Sequence, residues 1–198
     1  MTRITKSAEE RRQEIIDISK KLFSENGFDK TQVADISKEM GVAQGLVYHY
    51  FKSKMEILYV VIDEISGENE ETTRQIISEY HGSAFDCLNM IFMKLINKEK
   101  LDKYSTLFSS LKEDHGVMEY VSKRMSMSME SFSISLIERG NADGSWNCEY
   151  PKETARFILQ GLNGFIGSYP LNQDVNQKKQ VLNSIVLRAL GVHSPKDR

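Results

Sequence analysis

Chain breakers are scarce in this sequence. Proline occurs only three times in 198 residues, at 151, 170 and 195, so nothing interrupts long helices. Cysteine occurs twice, as Cys87 and Cys148, at no metal-ligand spacing, and two such residues read as reduced thiols of a cytoplasmic protein. No run of about 20 apolar residues is present to span a bilayer. The opening MTRITKSAEERRQ enters charged sequence directly and has no apolar core of a secretory signal. A phosphate-binding glycine loop, a His-Glu-x-x-His pair and a nucleophile elbow are all missing. The four histidines, at 49, 81, 115 and 193, are scattered. Glu113-Asp114-His115 resembles an acid–base or metal site, but a solvated helix start accounts for it far better. Together these absences point away from an enzyme and call for no metal, cofactor or membrane.

What is present is a globular composition: 40% apolar and 27% charged residues, well mixed, with a formal charge of −2. The charge is uneven. Residues 1–54 carry ten basic and eight acidic side chains, whereas residues 55–198 carry 16 and 20. The periodicity is helical throughout. Ser7-Ala8-Glu9-Glu10 is a capping box, followed by Ile15, Ile18 and Leu22 with Ile16 and Phe23 alongside, and Gly27-Phe28 ends that helix. A short helix is expected from Gln32 to Met40 with Thr31 as its cap, buried through Val33, Ile36 and Met40. A third follows the turn Gly41-Val42-Ala43 and runs from Gln44 to Phe51, with Val47, Tyr50 and Phe51 inward. Ser53 to Glu56 is a second capping box and opens a long fourth helix to about Tyr80. Further helices are expected over 84–97, 104–111, 116–139, 151–168 and from 175 to Gly191. The segment 140–150 reads as a loop from its turn formers Asn141, Asp143, Gly144 and Ser145. The fold class is therefore all-α: a three-helix unit in 1–54 and a larger helical region in 55–198.

One stretch stands apart. GVAQGLVYHYFKSK, residues 41–54, contains no acid, yet holds two lysines, two tyrosines and a histidine. Two short helices around a glycine turn make a helix-turn-helix. With Val47 and Phe51 inward, Gln44, Gly45, Leu46, Tyr48 and His49 remain on the outer face. A Gln44 amide both donates and accepts at a base edge, and Gly45 permits close approach. Tyr48, His49 and Lys54 can donate to phosphates. Many helix pairs with a glycine turn are packing units only, so the joint pattern carries the reading.

That pattern resembles the TetR family of bacterial transcriptional repressors over residues 12–58. The carriers are Leu22-Phe23, Gly27-Phe28, Thr31, Val33, Ile36, Gly41-Val42 and Tyr48-His49-Tyr50-Phe51-Lys52-Ser53-Lys54. The resemblance implies a homodimer on a palindromic double-stranded DNA operator, released by a small-molecule effector. It implies that Gln44, Gly45, Leu46 and Tyr48 approach base edges. Thr31, Ala43, Tyr48, His49, Tyr50 and Lys54 would lie along the phosphates. Ala43 stands where the family often has serine, and Leu46 where a small hydroxyl residue is common. Alanine offers no side-chain cap, and leucine can only pack on a thymine methyl.

In the larger region, Gly161, Gly164 and Gly167 form a low ridge that admits another helix. With Phe165, Leu182, Ile185, Val186 and Ala189 they make a candidate dimer interface, which the family resemblance favours over an internal packing face. The Met- and Phe-rich middle is either ordinary core or an adaptable apolar pocket. Phe108, Met125, Met129 and Phe132 are its candidate lining, with Tyr104 and Asn163 as polar contributors. An enzyme and a helical carrier that binds no DNA are the rival readings.

Overall fold

The computed structural model describes residues 6–168 and 175–192; the side chains of 165–168, 175 and 178 lie outside that description. The described residues form nine helices and no strand. These are α1 (Ala8–Asn26), α2 (Val33–Glu39), α3 (Gln44–Tyr50), α4 (Lys54–Glu79), α5 (Ala84–Leu95), α6 (Lys98–Leu111), α7 (His115–Asp143), α8 (Pro151–Ser168) and α9 (Val175–Ala189).

The chain divides into two compact units. The first holds the chain up to Ile65 together with Asp102–His115, and the second holds Ser66–Leu101 and the chain from Gly116 onward. Helices α4 and α6 each contribute to both. The units are thus drawn differently from a single cut after residue 54, because most of α6 packs with the N-terminal helices.

In the first unit the capping box of α1 forms: Ser7 Oγ accepts from the Glu10 amide at 3.1 Å, and Glu10 accepts from the Ser7 amide at 2.6 Å. At the other end Gly27 takes φ +84°, and Phe28 turns back edge-on to Phe23 with ring centroids 5.4 Å apart. The buried stripe is Ile15, Ile16, Ser19 and Phe23, rotated from the expected one, so Ile18 and Leu22 are only half-buried. Ser19 enters the core because its hydroxyl donates to the Ile15 carbonyl at 2.6 Å, which satisfies it locally. Gly41 ends the second helix in the left-handed region, at φ +67°. The Val42 amide then reaches the Ser37 carbonyl at 3.0 Å and the Gly41 amide the Lys38 carbonyl at 3.1 Å, a Schellman closure. The expected capping box of α4 forms in part: Ser53 Oγ accepts from the Glu56 amide, but Glu56 accepts from the Lys52 amide at 2.7 Å, one residue before the Ser53 amide that a box requires.

The second unit has its own apolar core, built from Ile76, Ala84, Cys87, Ile91, Phe92, Ile96, Leu136, Ile137, Trp146, Cys148, Ala155, Leu182, Val186 and Leu190. Ala84 and Cys87 occupy the inward face of α5 and leave Phe85 exposed. Two expectations change here. Helix α6 begins at Lys98 rather than 104. Helix α7 continues to Asp143 through the segment expected to be a loop. There Trp146 folds back onto Gly140 and its indole N–H donates to the Ile137 carbonyl at 2.8 Å. Asp143 accepts from the Ala84 amide at 2.6 Å and so holds the start of α5. The Asp143 carboxyl lies below the usual carboxylate range, first through the Ser145 hydrogen bond and then through that of Ala84.

Candidate nucleic-acid interface

Helix α3 buries one residue completely, Val47, and the following Phe51 is 1% exposed. These two anchor points fix the rotation of the helix. Ala43, Gln44, Gly45, Tyr48 and His49 are exposed, Leu46 and Tyr50 half-buried. Tyr48 keeps 49% of its surface free, unusual for a ring that could have packed. His49 and Tyr50 meet edge-on with centroids 5.2 Å apart, and the Arg12 guanidinium lies 4.9 Å from the Phe51 ring centroid. The expected inward position of Tyr50 is thus met in part, and Tyr50 lines a shallow cleft with Ala8, Glu9, Arg12 and Gln13.

The neighbourhood is electrostatically permissive. The nearest preceding acid, Glu39, is ion-paired with Lys21 at 2.9 Å, and the hydrogen bond from Lys21 holds its carboxyl below the usual range. The next acid, Glu56, is committed to the α4 cap. Lys38 and Lys52 are exposed and join no ion pair among the described residues.

Two expected contacts are corrected. Thr31 is 1% exposed and does not cap α2; Gln32 occupies that place, its amide donating to Asp35 at 2.7 Å. The Thr31 hydroxyl instead donates to the Gly27 carbonyl at 2.8 Å, so it faces the interior and offers nothing to a phosphate. Lys54 is not a free surface cation. Its Nζ donates to the carbonyls of Phe28 and Thr31, each at 2.9 Å, and stands 4.2 Å from the Phe28 ring centroid. The Phe28 amide is also committed, donating to Ser110 Oγ of α6 at 2.9 Å. Sequence reasoning missed Ser110 and Lys52. The first is a serine among serines, with no local signal. The second was visible as the remaining lysine of the acid-free stretch.

The six candidate effector residues divide between the units: Tyr104 and Phe108 in the first, Met125, Met129, Phe132 and Asn163 in the second. Tyr104 is buried and edge-on to Phe108 at 6.4 Å. Asn163 is occupied by Ser122 and Ser126 of α7, the latter at 2.9 Å. The candidate dimer residues also separate. Leu182 and Val186 are each 3% exposed, buried in the second unit's own core, which corrects their assignment. Gly161 and Gly164 are exposed, with nothing of their own chain near an added Cβ. Ile185 is exposed and Ala189 half-buried. The side chain of Phe165 lies outside the described residues. Phe157 of α8, not singled out from the sequence, is the most exposed large apolar residue, at 74%.

Helices α1 to α3 of the first unit make a helix-turn-helix arrangement, followed in the chain by six further helices among the described residues. Residues 15–60 match the family described as "Bacterial regulatory proteins, tetR family". Over that N-terminal segment the chain is similar to TetR-family regulators. It is 29% identical over 103 residues to the HTH-type transcriptional regulator TtgR of Pseudomonas putida, covering 52% of this chain and 49% of that one. It is 42% identical over 72 residues to the HTH-type transcriptional regulator HbdR of an Aromatoleum species, covering 36% and 31%. The match to TtgR thus spans about half of that relative's length. Solved structures share the whole architecture. RolR in complex with resorcinol superposes with a TM-score of 0.72 at 17% identity, covering 95% of this chain and 91% of that one. A TetR-family regulator of Mesorhizobium loti gives 0.69 at 14%, covering 95% and 100%.

Proposed function

We propose that the protein is a cytoplasmic DNA-binding transcriptional regulator, a repressor that grips a roughly palindromic operator as a homodimer and is released by a small, mostly apolar effector. The observation that carries this reading is the acid-free outer face of α3, with Gln44, Gly45, Tyr48 and His49 exposed on a helix locked by Val47. Gln44 at the helix start reads a base edge, Leu46 packs on a thymine methyl, and Tyr48, His49, Tyr50 and Lys52 line the phosphates. Ala43 contributes through its backbone, at the N-terminus of α3, where amides favour a phosphate.

Two copies are needed for two half-sites about one helical turn apart. Phe157, Gly161 and Gly164 of α8 and Ile185 of α9 support an interface there, since all four are exposed. RolR, similar in fold, holds resorcinol, and a small effector fits the same architecture. Retardation of a palindromic fragment from the protein's own promoter region, against random DNA of equal length, tests the reading. Equal affinity for both would leave a helical protein without operator specificity.

A further inference from the structure

The apolar core of the second unit leaves out one part of that unit. The cluster around Trp146 takes in Leu136 and Ile137 of α7, with Ile134 at its edge, and does not extend over the stretch between His115 and Ser135, whose buried side chains are Val117, Val121 and Ser128. That excluded stretch carries Met125, Met129 and Phe132, all half-buried, and none of the described methionines is buried anywhere. The methionines therefore are not core filler.

Facing them on α4 is a row of polar side chains at helical spacing: Ser66, Asn69 and Thr73. Ser66 is fully buried and Thr73 is 1% exposed. Ser66 Oγ and Asn69 Nδ2 each lie 3.6 Å from Met125 Sδ, and Thr73 Oγ1 lies 3.8 Å from Met129 Sδ. Thr73 is satisfied by the Asn69 main-chain carbonyl at 2.9 Å. Asn69 is not: its side-chain oxygen is buried and accepts no hydrogen bond, while its amide nitrogen has only a thioether, a weak acceptor. Exchanging the oxygen and nitrogen of the amide turns the oxygen toward the Met125 thioether, which has no hydrogen to donate. Plain packing asks for branched apolar residues here, as α4 supplies at Ile62, Ile65 and Ile76. Asparagine in that row carries a desolvation penalty that packing does not return.

We infer that Asn69 is the polar anchor of a small-molecule site on this face of α4. Its ligand is an uncharged molecule with an apolar body and one hydroxyl or N–H donor. The inference rests on the effector reading above and names the chemistry of that effector. The donor meets Asn69 Oδ1, and the body displaces the flexible thioethers of Met125 and Met129 and packs beside Phe132. Charge is selected against. Ser66, Asn69, Thr73, Met125, Met129 and Phe132 bring no ion. Arg74, over the Phe132 ring at 5.7 Å, is already paired with Glu70 at 2.9 Å and Glu71 at 3.4 Å. A buried anion would find no uncommitted counter-charge among these side chains.

The test uses three probes of one shape: p-cresol, toluene and p-toluate, titrated calorimetrically into the full-length protein. Wild type is expected to bind p-cresol at least about tenfold more tightly than toluene, the worth of one well-made hydrogen bond, and p-toluate more weakly than either. Asn69→Leu, which keeps the number and branching of the side-chain heavy atoms, should bind p-cresol and toluene within about twofold of each other. That is a difference between two ligands, and a purely structural role of Asn69 would not change it. Met129→Trp, which fills the space, should lose both ligands. Equal binding of p-cresol and toluene by wild type, no binding of any probe, or preference for p-cresol surviving in Asn69→Leu would each overturn the assignment. Tighter binding of p-toluate would overturn the uncharged class. Ligand-free retardation of the promoter fragment runs in parallel, so failure of DNA binding is read separately from failure of the ligand site.

Discussion

Lys54 is joined to Phe28 twice, by a 2.9 Å hydrogen bond from Nζ to the Phe28 carbonyl and by the approach of the same ammonium to within 4.2 Å of the ring centroid. A third contact reaches the Thr31 carbonyl. The first residue of α4 thereby holds the turn that feeds α2, and through α2 the orientation of α3.

Substitution at Lys54 is therefore expected to have two effects that separate from those at Lys52. Lys54→Met keeps the stem but removes two charge-assisted hydrogen bonds. Thermal unfolding should show a loss of about 1–3 kcal/mol, together with weaker binding to every DNA sequence. Lys52→Ala, at an exposed side chain with no ion pair, should leave the melting temperature nearly unchanged. It should lower the slope of log affinity against log salt by about one. An unchanged melting temperature for Lys54→Met would show that the turn does not depend on this lysine.

Gln44→Ala should behave in the opposite way. The side chain is exposed at the start of α3 and has no structural partner to lose, so stability should hold. Affinity should fall by about 1–3 kcal/mol for the preferred base pair at one operator position and hardly at all for random DNA. Competition assays over operator variants check this. Equal losses on both kinds of DNA would reassign Gln44 from base to backbone.

Much of this arrangement is legible in the sequence, and the exceptions have causes. Signals confined to one turn of chain survive folding, such as the Ser7–Glu10 box, the Gly41 closure and Pro151 at the head of α8, because their partners are three to five residues away. Thr31 was misread because its hydroxyl has two local options, and the buried one won once Phe28 and Phe23 packed. The turn formers at 141–145 were outvoted by partners far along the chain, with Asp143 bonded to Ala84. Leu182 and Val186 share an apolar stripe with Ile185, and periodicity alone does not say which edge of a stripe stays uncovered. The place of α6 could not be read at all, since it joins the first unit through contacts far along the chain, such as the Ser110 hydroxyl on the Phe28 amide 82 residues away.

Gly140 offers a test of the second unit. A Cβ there would sit 1.9 Å from Trp146 Cε2, on a ring that is itself 5% exposed. Gly140→Ala should destabilise the protein by about 1–3 kcal/mol through overpacking, despite the better helix propensity of alanine. Adding Trp146→Leu should recover part of that loss relative to Trp146→Leu alone. Denaturant titrations of the four proteins give the coupling; strictly additive losses would mean that the two residues do not collide.

Phe157 and Gly164 test the assembly. Among the described residues Phe157 is exposed, and an added Cβ at Gly164 meets nothing within 4 Å. Phe157→Glu or Gly164→Leu should therefore leave secondary structure and melting of the protomer intact while sedimentation shifts toward the monomer. Cooperative operator binding should be lost with it. A dimer that persists in both variants would move the interface off this face of α8.

The tie between α6 and the α1–α2 turn has a consequence for how the protein tolerates change. Ser110 and Lys54 hold the turn through the amide and the carbonyl of Phe28, and of these contacts only the approach of Lys54 to the ring needs an aromatic residue. Most replacements at position 28 would remove the ring and its contact with Phe23, yet leave both backbone bonds available. Proline alone deletes the donor. The connection can thus drift freely in side-chain identity while its geometry is inherited, so a homologue with a different residue there would keep the same joint.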